Sequence, residues 1–372
     1  MTPRLQTLMS MVVLGFGCMI MCLSCCPAVV HAVQGLMKIT YKYEGHFPES
    51  FDWDKSHRRF LVGSTAKGSL IAVSVVDEFV EVKDFVEDPD YAGKAAVLGV
   101  CVDSIRNRVV VAVHNINYSK PPFNAVAAYD LDSKKRILFA RLDGIRAGES
   151  VINDVAVDAE GNIFATNTLG NYIWKINLQG EASVFVESPV FSFPSVVVSA
   201  KIAAVGLNGI VYHTGGYLLV GQSNTGSLFK VDLSTKEVHL TLKESLKAAD
   251  GMAIRKGGSL VVVSADKMWL LTSKSDWMTA TIEEELSLNA SSFATAVIDK
   301  DGYHSFILHS YLTEAGEGSD RDLFEIEEKQ FIKDTEDDAV WLIVIIVLFV
   351  VIITAWRFQM AHFYKQYRKK QV

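Results

Sequence analysis

The sequence predicts an all-β protein, a six-bladed β-propeller with an N-terminal signal segment and a C-terminal transmembrane helix. Two observations predict the propeller and a third the membrane segments. The first is a six-residue phrase that recurs six times: Glu49–Asp54 (ESFDWD), Leu98–Asp103 (LGVCVD), Asn153–Asp158 (NDVAVD), Asn208–His213 (NGIVYH), Asp250–Arg255 (DGMAIR) and Ala294–Asp299 (ATAVID). Gly161, Gly216, Gly258 and Gly302 then occupy one place in the following turns. The starts are 49, 55, 55, 42 and 44 residues apart, and a four-stranded blade takes roughly 40–50 residues. The second is the texture between the phrases. Runs rich in Val, Ile, Leu and aromatics, such as Tyr172–Ile176 and Leu260–Ser264, alternate with Gly, Asn, Asp and Ser turns, which is strand-and-turn spacing. The third is that the longest apolar runs lie at the two ends.

The N-terminal run extends from Leu8 to Val30 behind Arg4 and ends in Val30-His31-Ala32. Small or apolar residues three and one before a cut after Ala32 suit signal peptidase, so residues 1–32 read as a signal peptide or an uncleaved signal anchor. Cys18, Cys22, Cys25 and Cys26 fall here, which leaves Cys101 alone in the body on an apolar strand, as a small buried hydrophobe. The propeller is expected over residues 40–313. Within it, 188–204 is an insertion with Pro189 and Pro194, placed to cover one mouth. A helical period is suggested only around Leu240–Ala249. Asn117 and Asn289 open N-glycosylation sequons.

Residues 314–338 read as an acidic stalk. Residues 339–356 (AVWLIVIIVLFVVIITAW) carry no charge, Gly or Pro, and about 18 such residues just reach across a bilayer. Glu336, Asp337 and Asp338 precede this run, and Arg357, Lys365, Arg368, Lys369 and Lys370 follow it. Basic flanks stay cytosolic, so residues 357–372 form the cytosolic tail and the propeller faces a lumen or the exterior. Lys369 and Lys370 stand where a dilysine signal recognised by coat protein would return a membrane protein to the endoplasmic reticulum. The net charge of -7 comes without a basic stripe, so no nucleic-acid partner is expected.

The first residues of the six phrases are Glu, Leu, Asn, Asn, Asp and Ala. Equivalent points on the innermost strands of a propeller face one another across its channel. Glu49, Asn153, Asn208 and Asp250 therefore form a ring of oxygen donors with two negative charges. Calcium takes six to eight oxygens in irregular geometry and suits this set better than magnesium. The absence of His and Cys from the ring disfavours zinc. A metal there polarises a carbonyl or phosphoryl oxygen, and a carboxylate beside it serves as base or nucleophile. Leu98 and Ala294 leave two blades apolar, which fits an uncharged ester or lactone. A non-catalytic propeller stapled by calcium around a ligand or protein partner is the alternative.

The motifs Pro48–Trp53, Asn153-Asp154, Asn208-Gly209 and Asp250-Gly251-Met252 resemble the metal site of the gluconolactonase and regucalcin family. That superfamily also holds paraoxonases and diisopropyl fluorophosphatase. The similarity runs from about Tyr43 to Leu312 and is nearest to plant-type calcium-dependent phosphotriesterase-like proteins. It implies calcium held by Glu49, Asn208 and Asp250, with Asn153 as ligand or substrate contact and Asp250 as base or nucleophile. Where the gluconolactonase group has a sugar-binding arginine, this chain has Val151, which favours a more apolar substrate. One histidine of the paraoxonase pair would fall near His114, but its partner's place is Leu98. Strictosidine synthases share the fold without needing metal, and retention of all four ligands points away from that branch and its condensation chemistry.

Overall fold

The computed structural model describes residues 36–115, 123–192, 204–242, 244–300 and 304–369. The signal segment 1–32, the sequon residue Asn117 and Lys370 lie outside them. Residues Met37–Lys329 form one compact unit, a ring of six four-stranded antiparallel sheets. Blade 1 is β2 (Pro48–Asp54), β3 (Arg59–Ser64), β4 (Leu70–Val76) and β5 (Phe79–Val86). Blade 2 is β6 (Ala96–Asp103), β7 (Arg108–His114), β8 (Asn124–Asp130) and β9 (Arg136–Arg141). Blade 3 is β10 (Ile152–Val157), β11 (Ile163–Asn167), β12 (Tyr172–Ile176) and β13 (Ala182–Glu187). Blade 4 is β14 (Leu207–His213), β15 (Tyr217–Gln222), β16 (Ser227–Asp232) and β17 (Val238–Leu240). Blade 5 is β18 (Met252–Ile254), β19 (Leu260–Val263), β20 (Lys267–Thr272) and β21 (Thr281–Ser287). Blade 6 is β22 (Ala294–Lys300), β23 (His304–His309), β24 (Leu323–Lys329) and, from the start of the chain, β1 (Lys38–Lys42).

The strand sequences follow from this stacking. Blades pack face to face, so middle strands are covered on both sides and read as continuous apolar runs rather than alternations. Every residue of Arg108–His114 is buried. The outermost strands are covered least, and Thr281–Ser287 alternates between exposed and half-buried. Five apolar clusters fill the wedges between blades 6 and 1, 1 and 2, 2 and 3, 3 and 4, and 4 and 5. Trp174 lies wholly inside the wedge between blades 2 and 3.

All six phrases fall on innermost strands or, at Asp250, just ahead of one. These strands run the same way round the ring, giving it a face that carries their first residues (the ring face) and an opposite face. At the opposite face, Asp54 accepts from Arg59 Nε at 2.8 Å and Asp103 from Arg108 Nε at 2.9 Å. The same guanidiniums donate across to the next blade, Arg59 to Leu131 O and Arg108 to Gly161 O, each at 2.7 Å.

Two expectations change. The segment expected as a stalk contributes a short helix α1 (Leu312–Gly316) and strand β24 to blade 6, so the propeller runs to Lys329. Phe324, Ile326 and Glu328 of β24 are buried while the residues between are more open. Its acidic residues hid the alternation. The described residues of Leu240–Ala249 are not helical; after β17 they run as an irregular loop with one turn at Lys247-Ala248, and Leu242, Leu246 and Ala249 are buried against blades 4 and 5. The insertion at 188–204 begins with a 3-10 turn, Pro189–Ser192, and residues 193–203 lie outside the described set.

Helix α2 (Ile332–Lys369) is a separate 38-residue element. Its stretch Ile343–Lys365 has a mean hydropathy of 2.4 and is long and apolar enough to cross a membrane.

Candidate functional site

In five blades one or both of the first two residues of the phrase fall at a repeated irregularity. The pairing of innermost with second strand slips between Pro48 and Phe51, Val97 and Gly99, Ile152 and Val155, Leu207 and Ile210, and Ala294 and Ala296. Bulges re-aim side chains and recur at barrel rims and active sites. Five of the six blades carry one at this point, and in blade 5 regular pairing begins only at Met252.

The second residue of every phrase meets the next blade. Ser50 Oγ accepts from Val100 N at 3.1 Å, Asp154 from Ile210 N at 3.1 Å, and Thr295 Oγ1 donates to Glu49 O at 2.6 Å. In the other three blades the residue is Gly, because the neighbouring backbone leaves no room. A Cβ on Gly99 would sit 2.8 Å from Asp154 Cα, one on Gly209 2.2 Å from Asp250 O, and one on Gly251 2.6 Å from Thr295 O. These contacts run blade to blade around the whole ring. They explain the Asn-Gly and Asp-Gly pairs without invoking a turn.

The first residues lie at the ring face, one residue ahead of these contacts. Asn208 Nδ2 donates to Ser223 Oγ at 3.0 Å, and Ser223 Oγ donates to Ala249 O at 2.6 Å, one residue before Asp250. Thr166 Oγ1 donates to Asn208 O at 2.7 Å. Burial and the neighbouring Asp154 charge push the Asp250 carboxyl up to about 8, against a lowering hydrogen bond from the Asn208 side chain. Burial, then the charges of Asp250 and Asp154, hold Glu49 well above the usual carboxylate range. Glu49 Oε2 is fully enclosed and has no hydrogen-bond partner. Glu49, Asn208 and Asp250 are thus brought within direct or electrostatic reach of one another. Asn153 shares their register on β10, and its carbonyl lies against Gly99.

Asp154 belongs to this constellation and was not singled out from the sequence. Burial raises it to about 7, although the amides of Val155 and Ile210 lower it. It also lines a cavity of about 410 Å³ in the channel, walled by all six innermost strands. The fourth residues of the phrases (Asp52, Cys101, Ala156, Val211, Ala253 and Val297) all line that cavity. All are small or slender, and that shared feature was the legible signal for the channel wall. Burial raises Asp52 to about 6, although it accepts from Val102 N at 2.6 Å. Cys101 is half-buried there rather than sealed in a core, and burial pushes its thiol up well above the ordinary range. His114 is buried, with Nδ1 on Asn124 Oδ1 at 2.9 Å.

Among the described residues no three His, Cys, Asp or Glu side chains converge as a metal-binding cluster. A cation at the ring would draw on two carboxylates and two amides. The enclosed, unpartnered Glu49 oxygen is the observation that fits such a cation: a buried carboxylate oxygen with no donor is costly unless something positive meets it.

The chain matches no protein-family model and no curated protein by sequence. Solved structures do match. The allergen Mala s 1 of Malassezia sympodialis aligns over 78% of this chain and 95% of its own, at 14% identity and a TM-score of 0.63. A gluconolactonase of Xanthomonas campestris aligns over 79% and 90%, at 14% identity and 0.53. Virginiamycin B lyase of Staphylococcus aureus aligns over 79% and 99%, at 12% identity and 0.51. The fold is shared. Its bearers include a lactonase and a lyase, so chemistry has to be argued from the site.

Proposed function

We propose that the propeller is a calcium-dependent hydrolase of an ester, lactone or phosphotriester, with its site at the ring face. The observation that carries this reading is the enclosed, unpartnered Glu49 carboxylate oxygen, within electrostatic reach of the Asp250 and Asp154 carboxyls. Glu49, Asn153, Asn208 and Asp250 would hold the ion. Calcium bound there supplies Lewis-acid polarisation of a carbonyl or phosphoryl oxygen. Asp250, steadied by the Asn208 amide, takes the proton of the water that attacks the acyl carbon or phosphorus, or attacks it directly; the substrate's ester oxygen leaves, and in the second case water then frees the carboxylate. The Ser223 hydroxyl fixes the orientation of Asn208. The gluconolactonase of the same fold lends support at the level of substrate class, and Val151 in place of a sugar-binding arginine turns the preference to a less polar lactone or ester. Helix α2 would anchor the protein, with the propeller on the side of the bilayer away from the basic tail.

The test is hydrolysis of an ester, lactone and phosphotriester panel by the full chain with calcium, with chelator, and as Asp250→Asn. Calcium-dependent turnover that falls by about 1000-fold or more in the variant, the scale of losing a group that acts in the transition state, supports the reading. A calcium-raised melting temperature without any turnover would replace it with a calcium-stapled binding propeller.

A further inference from the structure

We infer that the hairpin joining β4 and β5 is a second membrane contact, a lipid-docking element at the opposite face. The inference rests on reading α2 as a membrane anchor. Strand β3 ends its pairing with β4 at Arg59 opposite Ser74. Beyond that point β4 and β5 continue alone for two pairs, Val75 with Val80 and Val76 with Phe79. Successive strand residues face opposite sides, so this projecting end is apolar on both. Phe79 is 78% exposed and Val76 53%. Inside a propeller wedge such residues would be core; here no other strand of the blade reaches them.

The position in the ring selects the occupant. Blade 1 is the neighbour of the closing blade, and β5 packs beside β1, with Tyr43 Oη donating to Asp84 Oδ1 at 2.6 Å. Lys38 at the start of β1 pairs with Glu327 near the end of β24, so the unit's two ends lie together at the opposite face. Phe79 begins β5 at that same face. Helix α2 starts at Ile332, three residues after β24 ends, and after Asp334, Glu336, Asp337 and Asp338 it turns apolar at Ala339. An apolar projection beside the point where the chain departs for a bilayer fits a lipid surface as its occupant.

The apex sets the depth. Asp77 and Glu78 form a two-residue turn with φ of 48° and 71°, the primed geometry of tight hairpins. Two carboxylates do not enter hydrocarbon. The hairpin therefore lies sidelong, with the Val76–Phe79 pair toward the acyl boundary and the apex among the headgroups.

The test uses the full chain in phosphatidylcholine vesicles, with the five native cysteines changed to serine and a polarity-sensitive fluorophore on Phe79→Cys. A second sample carries it on Ala66→Cys, exposed at the ring face of the same blade. Vesicle flotation is read alongside. Docking predicts that the chain floats and that spin-labelled lipid quenches the probe at 79 at least threefold more than the probe at 66. A floating chain with equal quenching at both sites overturns docking and leaves the anchor standing. Failure to float overturns the anchor and docking together. A probe at 79 that is shielded only when another protein is added overturns the lipid assignment.

Discussion

Adjacent residues at the start of each repeat do opposite work. The first residue, in blades 1, 3, 4 and 5, is the proposed oxygen donor to a cation. The second faces the next blade and is either glycine or a stitch: Ser50, Asp154 or Thr295. One position is under chemical constraint and tolerates Leu98 and Ala294 where no donor is wanted. The other is tied to the neighbouring blade in all six, by close packing at Gly99, Gly209 and Gly251 and by a hydrogen bond at Ser50, Asp154 and Thr295. The proposed donor position and the closure position are separated by a single peptide bond, at the point where strand pairing slips. Asp154 crosses the division. It stitches blade 3 to blade 4 and still adds its charge to the Glu49–Asp250 pair.

The largest break should come at the steric position. Gly209→Ala places a methyl 2.2 Å from the Asp250 carbonyl oxygen. Overpacking of this kind costs about 3 kcal/mol, read as a lower denaturant midpoint, and it should displace Asp250 and lower calcium affinity as well. Next is the chemical position. Asp250→Asn should leave the metal-free protein as stable as wild type or more so at pH 8, because a neutral amide replaces a carboxyl that burial resists charging. Its calcium affinity should fall by about 100-fold, roughly 2.7 kcal/mol. An equal loss of stability in both variants would erase the distinction between the two positions.

A smaller effect concerns pH. In chelator, Asp154 and Asp250 stand near 7 and 8, above their unfolded value of about 4. The native state then binds more protons than the unfolded state between those limits, so stability falls as pH rises from about 4 to about 8. Thermal melts should show the metal-free protein losing several degrees between pH 5 and pH 8, and saturating calcium flattening the slope. The smallest effect is Thr295→Val. It removes the bond to Glu49 O and should cost about 1–2 kcal/mol, with calcium affinity changed less than threefold.

The repeats were legible because a radial architecture imposes the same demands six times, and each phrase landed on an innermost strand. The shared register of Glu49, Asn153, Asn208 and Asp250 at the head of their repeats was legible for the same reason. The last blade was not. Its outer strands are Lys38–Lys42 and Leu323–Lys329, drawn from opposite ends of the unit, and neither belongs to a phrase. In Leu323–Lys329, Glu328 is buried because it accepts from Met37 N at 2.9 Å and pairs with His304, which no local pattern announces. The stitching role of the second residues was equally hidden. Asn-Gly and Asp-Gly suggest turns until the neighbouring backbone is seen 2–3 Å from the missing Cβ.

The most direct measurement is isothermal titration of calcium into the metal-free full chain at pH 7 in two buffers of different protonation enthalpy, for wild type and for Asp250→Asn. The ring predicts one site that releases protons from the raised carboxyls on binding and is weakened by about 100-fold in the variant. Wild-type protein that takes up no calcium, or takes it up unchanged in the variant and without proton release, would contradict it.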